Sequence, residues 1–478
     1  GSNYANDGAS GVNAMAAGPS ASAKGDLSVA VGNGAAANGA HSVAVGNGAA
    51  ANGTDAIALG TNAKADGQGA LVVGEHNSAT GQNAVAFGGG YGKDEKGNTA
   101  SAVASVAFGI NTVAKAEGTV AFGNSTQAGS DKTDNSGKNY GQDAVAFGRG
   151  TKALGGRSLA FGENTVADYN DSVAFGNASK ALSTGAVAFG SRTRALAQYS
   201  MAFGNRAVSA GNYATAFGTD TLAGVKTDAS GAMWLTNGTK IDSNGNVAYT
   251  DGSGNTYAVE NFQNVKNGQP SGETHSYVVV KGADGKAYIQ DYHGDIHAVT
   301  LTKQADGTIK AAASTDIARG VTLVTADPTS TNGYDFVDYD NATAFGDSTK
   351  AINVNATAFG KNSVASGENS LAFGEGSTAA GNNSVAGLGG TASTANSIAL
   401  GKGTKANNST ENAVSVAIGE NAEASGARSL AIGFGIKDKN DTLLTQTTAS
   451  GESAVSIGTD TEAAGEHSLA MGSHSEAL

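Results

Sequence analysis

In the segment YHGDIHAV, His293, Asp295 and His297 stand at every second position, and two imidazoles flanking a carboxylate are a metal-ligating set. On a straight strand all three would face one way. His293-Gly294 reads instead as a hairpin turn, which splays the set, so no metal site is assigned. DSNGN at Asp242–Asn246 opens like a calcium loop but lacks that loop's Gly and distal Glu. Lysines recur more regularly, at Lys64, Lys115, Lys152, Lys180, Lys350 and Lys405, with Arg194 at the matching place. They read as a solvated edge that discourages strand-to-strand aggregation, or as a basic stripe for acidic glycans. His41 and His467 precede repeated strands at turn positions and read as solvated. There is no nucleophile elbow, no glycine-rich loop between a strand and a helix, and no paired carboxylates in a defined context. Asp and Glu fall at turns without a recurrent column. No catalytic, cofactor or metal residue is therefore assigned, and no enzyme is expected.

Bulk properties narrow the partners. The 478 residues carry a formal charge of −13, which repels phosphate backbones and argues against nucleic acid. There are no cysteines, so disulfides and thiolate sites are excluded. No run of about 18 apolar residues marks a membrane span. Gly1-Ser2 resembles a cloning remnant, residues 1–13 read as a leader, and the chain stops inside a repeat, so the stretch reads as a piece of a longer protein. Glycine is abundant at 71 residues and proline scarce at 3, a balance that suits many tight turns between short strands.

What must position any functional residue is a repeat. SVAFG at Ser105–Gly109 returns at Ser172–Gly176, with variants throughout. The closing glycines run Gly32, Gly46, Gly60, Gly74, Gly88, then Gly109, Gly123, then Gly148 to Gly218, mostly 14 residues apart. The step resumes at Gly346, Gly360 and Gly374 and continues through Gly401, Gly419, Gly433, Gly458 and Gly472. A worn copy occupies Ala14–Gly18. Small–large–small–large is a period of two, hence a strand. A second segment rich in Ala and Thr follows each glycine. Each unit is expected to be strand, turn, strand, turn, with two strands of about five residues. One unit has no core of its own, so units stack in parallel about 4.8 Å apart. The fold class is all-β, a parallel β-roll.

Two facings are open. Small residues such as Ser172 and Ala174 point into the narrow roll and Val173 and Phe175 point out, or the reverse. The first is favoured, and it leaves an apolar stripe larger than a monomer tolerates, to be covered by other chains. Phe dominates the middle of the array, while Val, Ile, Leu and Met serve at the ends.

The copies HSVAVGNGAAANGA, DSVAFGNASKALSTG and NSLAFGEGSTAAGNNSVA resemble the head repeat of trimeric autotransporter adhesins of the YadA-like type. The resemblance covers residues 14–222 and 341–478. It implies a left-handed β-roll, a homotrimer, and a head displayed beyond a Gram-negative outer membrane for attachment. Val106, Phe108, Val173, Phe175, Val187, Phe189, Leu371 and Phe373 are then the expected trimer core. No heptad run or membrane strand is seen, so a stalk and membrane anchor would lie outside this stretch. The implied partners are a host receptor, an extracellular matrix protein or another microbial surface.

Loops on a rigid support commonly carry binding, so the breaks in the 14-step matter. Gly89–Ala104, Gly129–Asp143 and Phe434–Ser453 are polar and turn-rich and are expected to protrude, as binding loops or as tolerated surface loops. The largest break, 223–340, holds the only tryptophan and seven tyrosines. Its alternating runs around Asn-Gly and Asp-Gly turns read as an inserted antiparallel β-meander domain. Trp234, Tyr249, Tyr257, Tyr288 and Tyr292 are the candidate ligand-binding residues there, or else the core of a small β domain. An adhesive head and a structural spacer displaying a binder held elsewhere both remain; an enzyme or ice-binding solenoid fits least, since regular Thr columns are not seen.

Overall fold

The computed structural model describes residues 7–90, 97–130, 141–225, 233–234, 240–242, 246–266, 269–291, 295–304, 308–324, 340–408, 410, 413–437, 440 and 442–478. It divides into two compact units, Gly1–Arg206 and Ala207–Leu478. Among the described residues there is no helix. Each coil of either unit has one long strand and one short strand, joined by two corners.

In the first unit the long strands run from Met15–Ala17 to Met201–Asn205. They pair in parallel and in register, so Val85 lies beside Val106 and Phe87 beside Phe108. The short strands form a second parallel ladder from Ser22–Ala23 to Arg194–Ala195. The worn copy is a coil, with Met15 beside Val29. In the second unit Thr215–Thr219 pairs with Thr343–Asp347, and Leu222–Ala223 with Lys350–Ala351. The roll therefore resumes where it left off, across more than a hundred intervening residues. Further coils follow to Leu469–Ser473 and Glu476–Ala477.

The small residues face inward. Ala107, Ala121, Ala146, Ala160, Ala174 and Ala188 of the long strands, and Ala114, Ala153 and Ala181 of the short strands, are wholly buried. The larger neighbours Phe108 and Phe175 are 36% and 44% exposed. Of the two facings open in the sequence, the large-outward one is observed. Serines and threonines line much of the rest of the interior, and a number of them satisfy corner carbonyls. Ser158 Oγ donates to Gly155 O at 2.7 Å and Thr119 Oγ1 to Ala116 O at 2.6 Å. At the opposite corner Thr126 Oγ1 reaches Gly148 O one coil on, at 2.5 Å, as Thr349 Oγ1 reaches Gly360 O at 2.6 Å.

The short strands hold two residues each, not the expected five. The reason lies at the corners, which use up the remainder. In the uninterrupted coils each corner carries a left-handed residue, and the two kinds alternate seven residues apart: Asn13, Ser20, Leu27, Gly34, His41, Gly48, Asp55, Asn62. Asn, Asp and Gly tolerate this backbone best, which accounts for the Asn-Gly punctuation. The glycine closing each long strand has a second role. At Gly176, φ is 121° and a Cβ would lie 1.8 Å from the Gly190 carbonyl oxygen. Neighbouring coils are too close there for any side chain.

The additions fall between strands in sequence. Residues 91–96 and the hairpin Ile436–Lys437 with Leu443–Thr445 come between a long strand and the next short strand, and residues 131–140 and the large insert come between a short strand and the next long strand. Two of the quoted loops are shorter than the sequence suggests, because Thr99–Ala100 and Thr448–Ala449 are short strands of the roll. Between Gly374 and Gly401 the structure has a coil the glycine register misses, with long strand Val385–Gly387.

The insert is antiparallel. Met233–Trp234 pairs with Lys240–Ile241, Ala258–Lys266 with Gln269–Val278, and Val280–Lys281, Ala287–Gln290, Ile296–Lys303 and Ile309–Ile317 form a meander. Its core is Val259, Phe262, Val279 and Ile289. A clasp closes its hairpins. Asp242 Oδ1 accepts Asn246 N at 2.8 Å, Asp251 Oδ1 accepts Asn255 N at 2.9 Å, and Asp291 Oδ1 accepts Asp295 N at 2.9 Å. The Tyr257 hydroxyl also donates to Asp251. That hydroxyl first, then the Asn255 amide, hold the Asp251 carboxyl down at about 2, against 3.8 ordinarily.

Two predictions follow from this geometry. Gly176→Ala is expected to lower stability by at least about 2 kcal/mol in urea unfolding. Gly34→Ala, at φ 65° with open space around it, is expected to cost only about 1 kcal/mol; equal losses would refute the close-approach account. A carboxyl depressed in the folded state stabilises above its ordinary value, and that stability is lost as pH falls towards the depressed one. Amide-exchange protection of the 246–259 hairpin should therefore fall as pH drops from about 4 to about 2, and Asp251→Asn should flatten that dependence.

Candidate functional site

In-register parallel strands place identical residues above one another at the strand spacing. On the long-strand face this makes two apolar columns. Phe87, Phe108, Phe122 and Phe147 stack with ring centroids 4.8, 4.7 and 4.8 Å apart and planes within 4°. Phe161 loosens the stack to 5.8 and 6.0 Å, and Phe175–Phe189 closes again to 4.7 Å. In the second unit Phe217, Phe345 and Phe359 continue the pattern at 4.6 and 5.1 Å. Val106, Val173 and Val187 are half-buried beside them. The residues expected at a trimer core, Val106, Phe108, Val173, Phe175, Val187 and Phe189 in the first unit and Leu371 and Phe373 in the second, thus each lie on a long-strand face, with Phe108, Phe175, Phe189 and Leu371 open to solvent in the single chain. Such a continuous exposed stripe is the mark of an interaction surface.

The short-strand face does not carry a basic stripe. Lys64, Lys152, Lys180, Lys350 and Lys405 open their short strands, but their ladder neighbours are mostly neutral: Lys152 lies between Gln127 and Val166, and Lys405 between Thr391 and Glu423. Only Lys180 and Arg194 are adjacent, and Arg194 is buried. Lys115 follows its strand, Val113–Ala114, and so stands outside the column. Towards the end of the second unit the same position becomes acidic, with Glu423, Glu462 and Glu476.

The corners carry ladders of their own. Arg157 forks onto Asp171 at 2.7 and 2.8 Å. That contact lowers the Asp171 carboxyl and raises the Arg157 guanidinium. The pair is exposed, and exposed pairs add little stability. Asn341, Asn355, Asn369, Asn383 and Asn396 pass amide hydrogen bonds from coil to coil at 3.3, 3.0, 3.3 and 3.2 Å. His41 is solvated as expected and pairs with Asp55 at 2.9 Å, and His467 is likewise exposed.

In the insert, Tyr249 and Tyr257 pack with Tyr277 around the buried cluster. Tyr288 is 5% exposed, and its hydroxyl donates to Asp284 at 2.8 Å. Trp234 lies on the strand Met233–Trp234. Tyr292 lies outside the described residues, as does His293. Of the candidate metal set, Asp295 gives its amide to Asp291, while His297 is buried with Nδ1 3.2 Å from Asp316 O and Nε2 3.6 Å from Asp291 Oδ2. Among the described residues no three His, Cys, Asp or Glu side chains converge as a metal site. The Asp242 carboxylate is engaged in its own hairpin clasp. Asp291 was not singled out in the sequence. Its signal is the thrice-repeated pattern D-x-x-G-[N/D] at Asp242, Asp251 and Asp291, read only in part as hairpin turns.

Comparison with known proteins gives one family. The YadA head domain repeat matches residues 9–35, 23–49, 37–63, 51–74, 65–90, 100–126, 140–165, 170–193 and 195–221, then 340–363, 365–386, 415–435 and 449–475. No curated protein matches. The matched segments follow the roll and omit the insert, and together they exceed half the chain. The chain belongs to the YadA head domain repeat family.

Proposed function

We propose that this chain is the head of a bacterial surface adhesin that works by non-covalent attachment rather than catalysis. The carrying observation is the exposed Val/Phe stripe on the long-strand face. In this reading three identical chains bring their stripes together around one axis, as left-handed rolls. Val106, Phe108, Val173, Phe175, Val187, Phe189, Leu371 and Phe373 form the shared core. The head stands at the cell surface beyond a Gram-negative outer membrane, as a virulence factor, and meets a host receptor, matrix protein or another microbe. Its parts are the roll 14–222, the inserted domain 223–340 and the roll 341–478.

The insert is the proposed ligand-bearing element, with Trp234, Tyr249, Tyr257, Tyr288 and Tyr292 as its aromatic set. It leaves the roll at a corner, where an added domain disturbs neither ladder. A second reading is a spacer that displays a binder held elsewhere. The burial of Tyr288 and the packing of Tyr249 and Tyr257 favour that reading, because aromatic groups used in a core are not offered to a partner.

Sedimentation of the purified chain should give three copies. Phe175→Asp with Phe189→Asp should yield folded monomers, since both rings are near half exposed in the single chain; a stable wild-type monomer would sink the trimer. Excision of 225–338 restores the 14-residue step at the corner. Loss of attachment to cells or matrix by that trimer is expected, and unchanged attachment would leave the spacer reading in place.

A further inference from the structure

The long strand Leu430–Phe434 carries a third large apolar residue on its outer face. Burial alternates along it: Ala431 and Gly433 are buried, Leu430 and Ile432 half-buried, and Phe434 exposed. Phe434 therefore lies on the same side as Leu430 and Ile432, which stand beside Val455 and Ile457 of the next coil. Its own neighbour there is Thr459, and the matching residue of the preceding coil, two after Ile418, is Glu420. Among the other described long strands of five residues, Ile110 alone is apolar at this position, and it is half-buried.

Phe434 leads into the hairpin Ile436–Lys437 with Leu443–Thr445. Polar groups tie that hairpin to its own roll. Lys437 Nζ donates to Glu420 Oε1 at 2.5 Å, the Gly435 amide to Glu420 O at 2.9 Å, and Gln446 Nε2 to Glu423 Oε2 at 3.0 Å. The large apolar groups stay outside. Phe434, Leu443 and Leu444 are 59%, 40% and 61% exposed. Leu443 lies against Gly435, where a Cβ would meet Leu443 Cδ1 at 2.6 Å. A solvated loop is built the other way round, with apolar groups on the support and polar groups in water. A cluster of large apolar side chains held outward marks a surface that another molecule covers.

The occupant follows from where the patch begins. Phe434 continues the apolar stripe on the same face of the same strand. In the trimer reading that face is already turned to another copy of this chain. We propose that the 434–445 hairpin is an apolar clasp, with Phe434, Leu443 and Leu444 packed against an adjacent copy. The polar ties order the hairpin in advance, so less freedom is lost when the patch is covered. In a cyclic assembly each interface joins two different patches, so each copy gives one clasp and receives one. The clasp rests on the trimer reading and adds to it a contact beyond the stripe.

The chain has no cysteine, so single thiols can be placed cleanly. Leu444→Cys and Lys405→Cys each take a benzophenone maleimide, the first on the hairpin and the second on the exposed short-strand face. Irradiation of the full chain should join two chains through position 444 and not through 405. A labelled protein that sediments as a trimer but gives no product at 444, or equal product at both positions, overturns the clasp and leaves the trimer standing. A wild-type monomer overturns the trimer and the clasp with it. A second variant, Phe434→Ser with Leu444→Ser, changes only side chains that are exposed in the single chain, so amide exchange of the roll should be unaltered. The concentration at which its trimers dissociate should rise at least about tenfold, and an unchanged midpoint refutes the proposal.

Discussion

A turn of fourteen residues wound into two facing strands encloses almost no volume. That constraint governs the molecule. Its interior admits a methyl or a hydroxyl and little more, so Ala fills the strand centres and Ser or Thr fills the approaches to the corners. Many of these hydroxyls, such as those of Ser158, Thr119 and Thr349, are matched to carbonyls that the corners would otherwise leave buried and unpaired. Large apolar side chains have only the outer face available. The narrowness of the inside thus writes an apolar surface on the outside.

The same narrowness decides where the sequence is free to vary. Both ladders run through every coil, and an extra residue within a strand would turn its side chains inside out. The corners tolerate additions because their residues already point away from the ladders. A left-handed backbone every seven residues concentrates Asn, Asp, His and Gly there, which yields the amide ladder of Asn341 to Asn396 and the Arg157–Asp171 fork. The insert uses a different economy of structure, a meander closed by Asp clasps around a cluster of four apolar side chains.

Much of this could be read from the residues. The glycine register and the period of two name the coil, the parallel stacking and the antiparallel turn chemistry of the insert. Which face is buried follows from residue size, though only with the coil geometry in hand. Other features escaped for specific reasons. The coil at Val385 does not show in the glycine register because its large residue and glycine exchange places. Lys115 misses the lysine column by one position, a shift the sequence does not show because a two-residue strand gives periodicity little to act on. Tyrosine clusters have the same composition whether they form a core or a binding face, so Tyr288 was legible only in place. Asp291 became visible when His297 was seen buried beside it.

The pairing of coils has a mechanical side. Within each unit the hydrogen bonds between coils run along the stacking direction, while the covalent chain crosses that direction once per turn. A pull on one end therefore loads a whole set of bonds between two coils at once, then frees one turn when the set fails. A stacked coil occupies about 4.8 Å, and its fourteen residues stretch to roughly 45–50 Å. Each rupture would lengthen the tether about tenfold over the space it had filled, giving a sawtooth of even period in a single-molecule force trace. Under load the roll would yield coil by coil, in equal steps where the coils hold fourteen residues, and each coil would be able to rewind when the load drops.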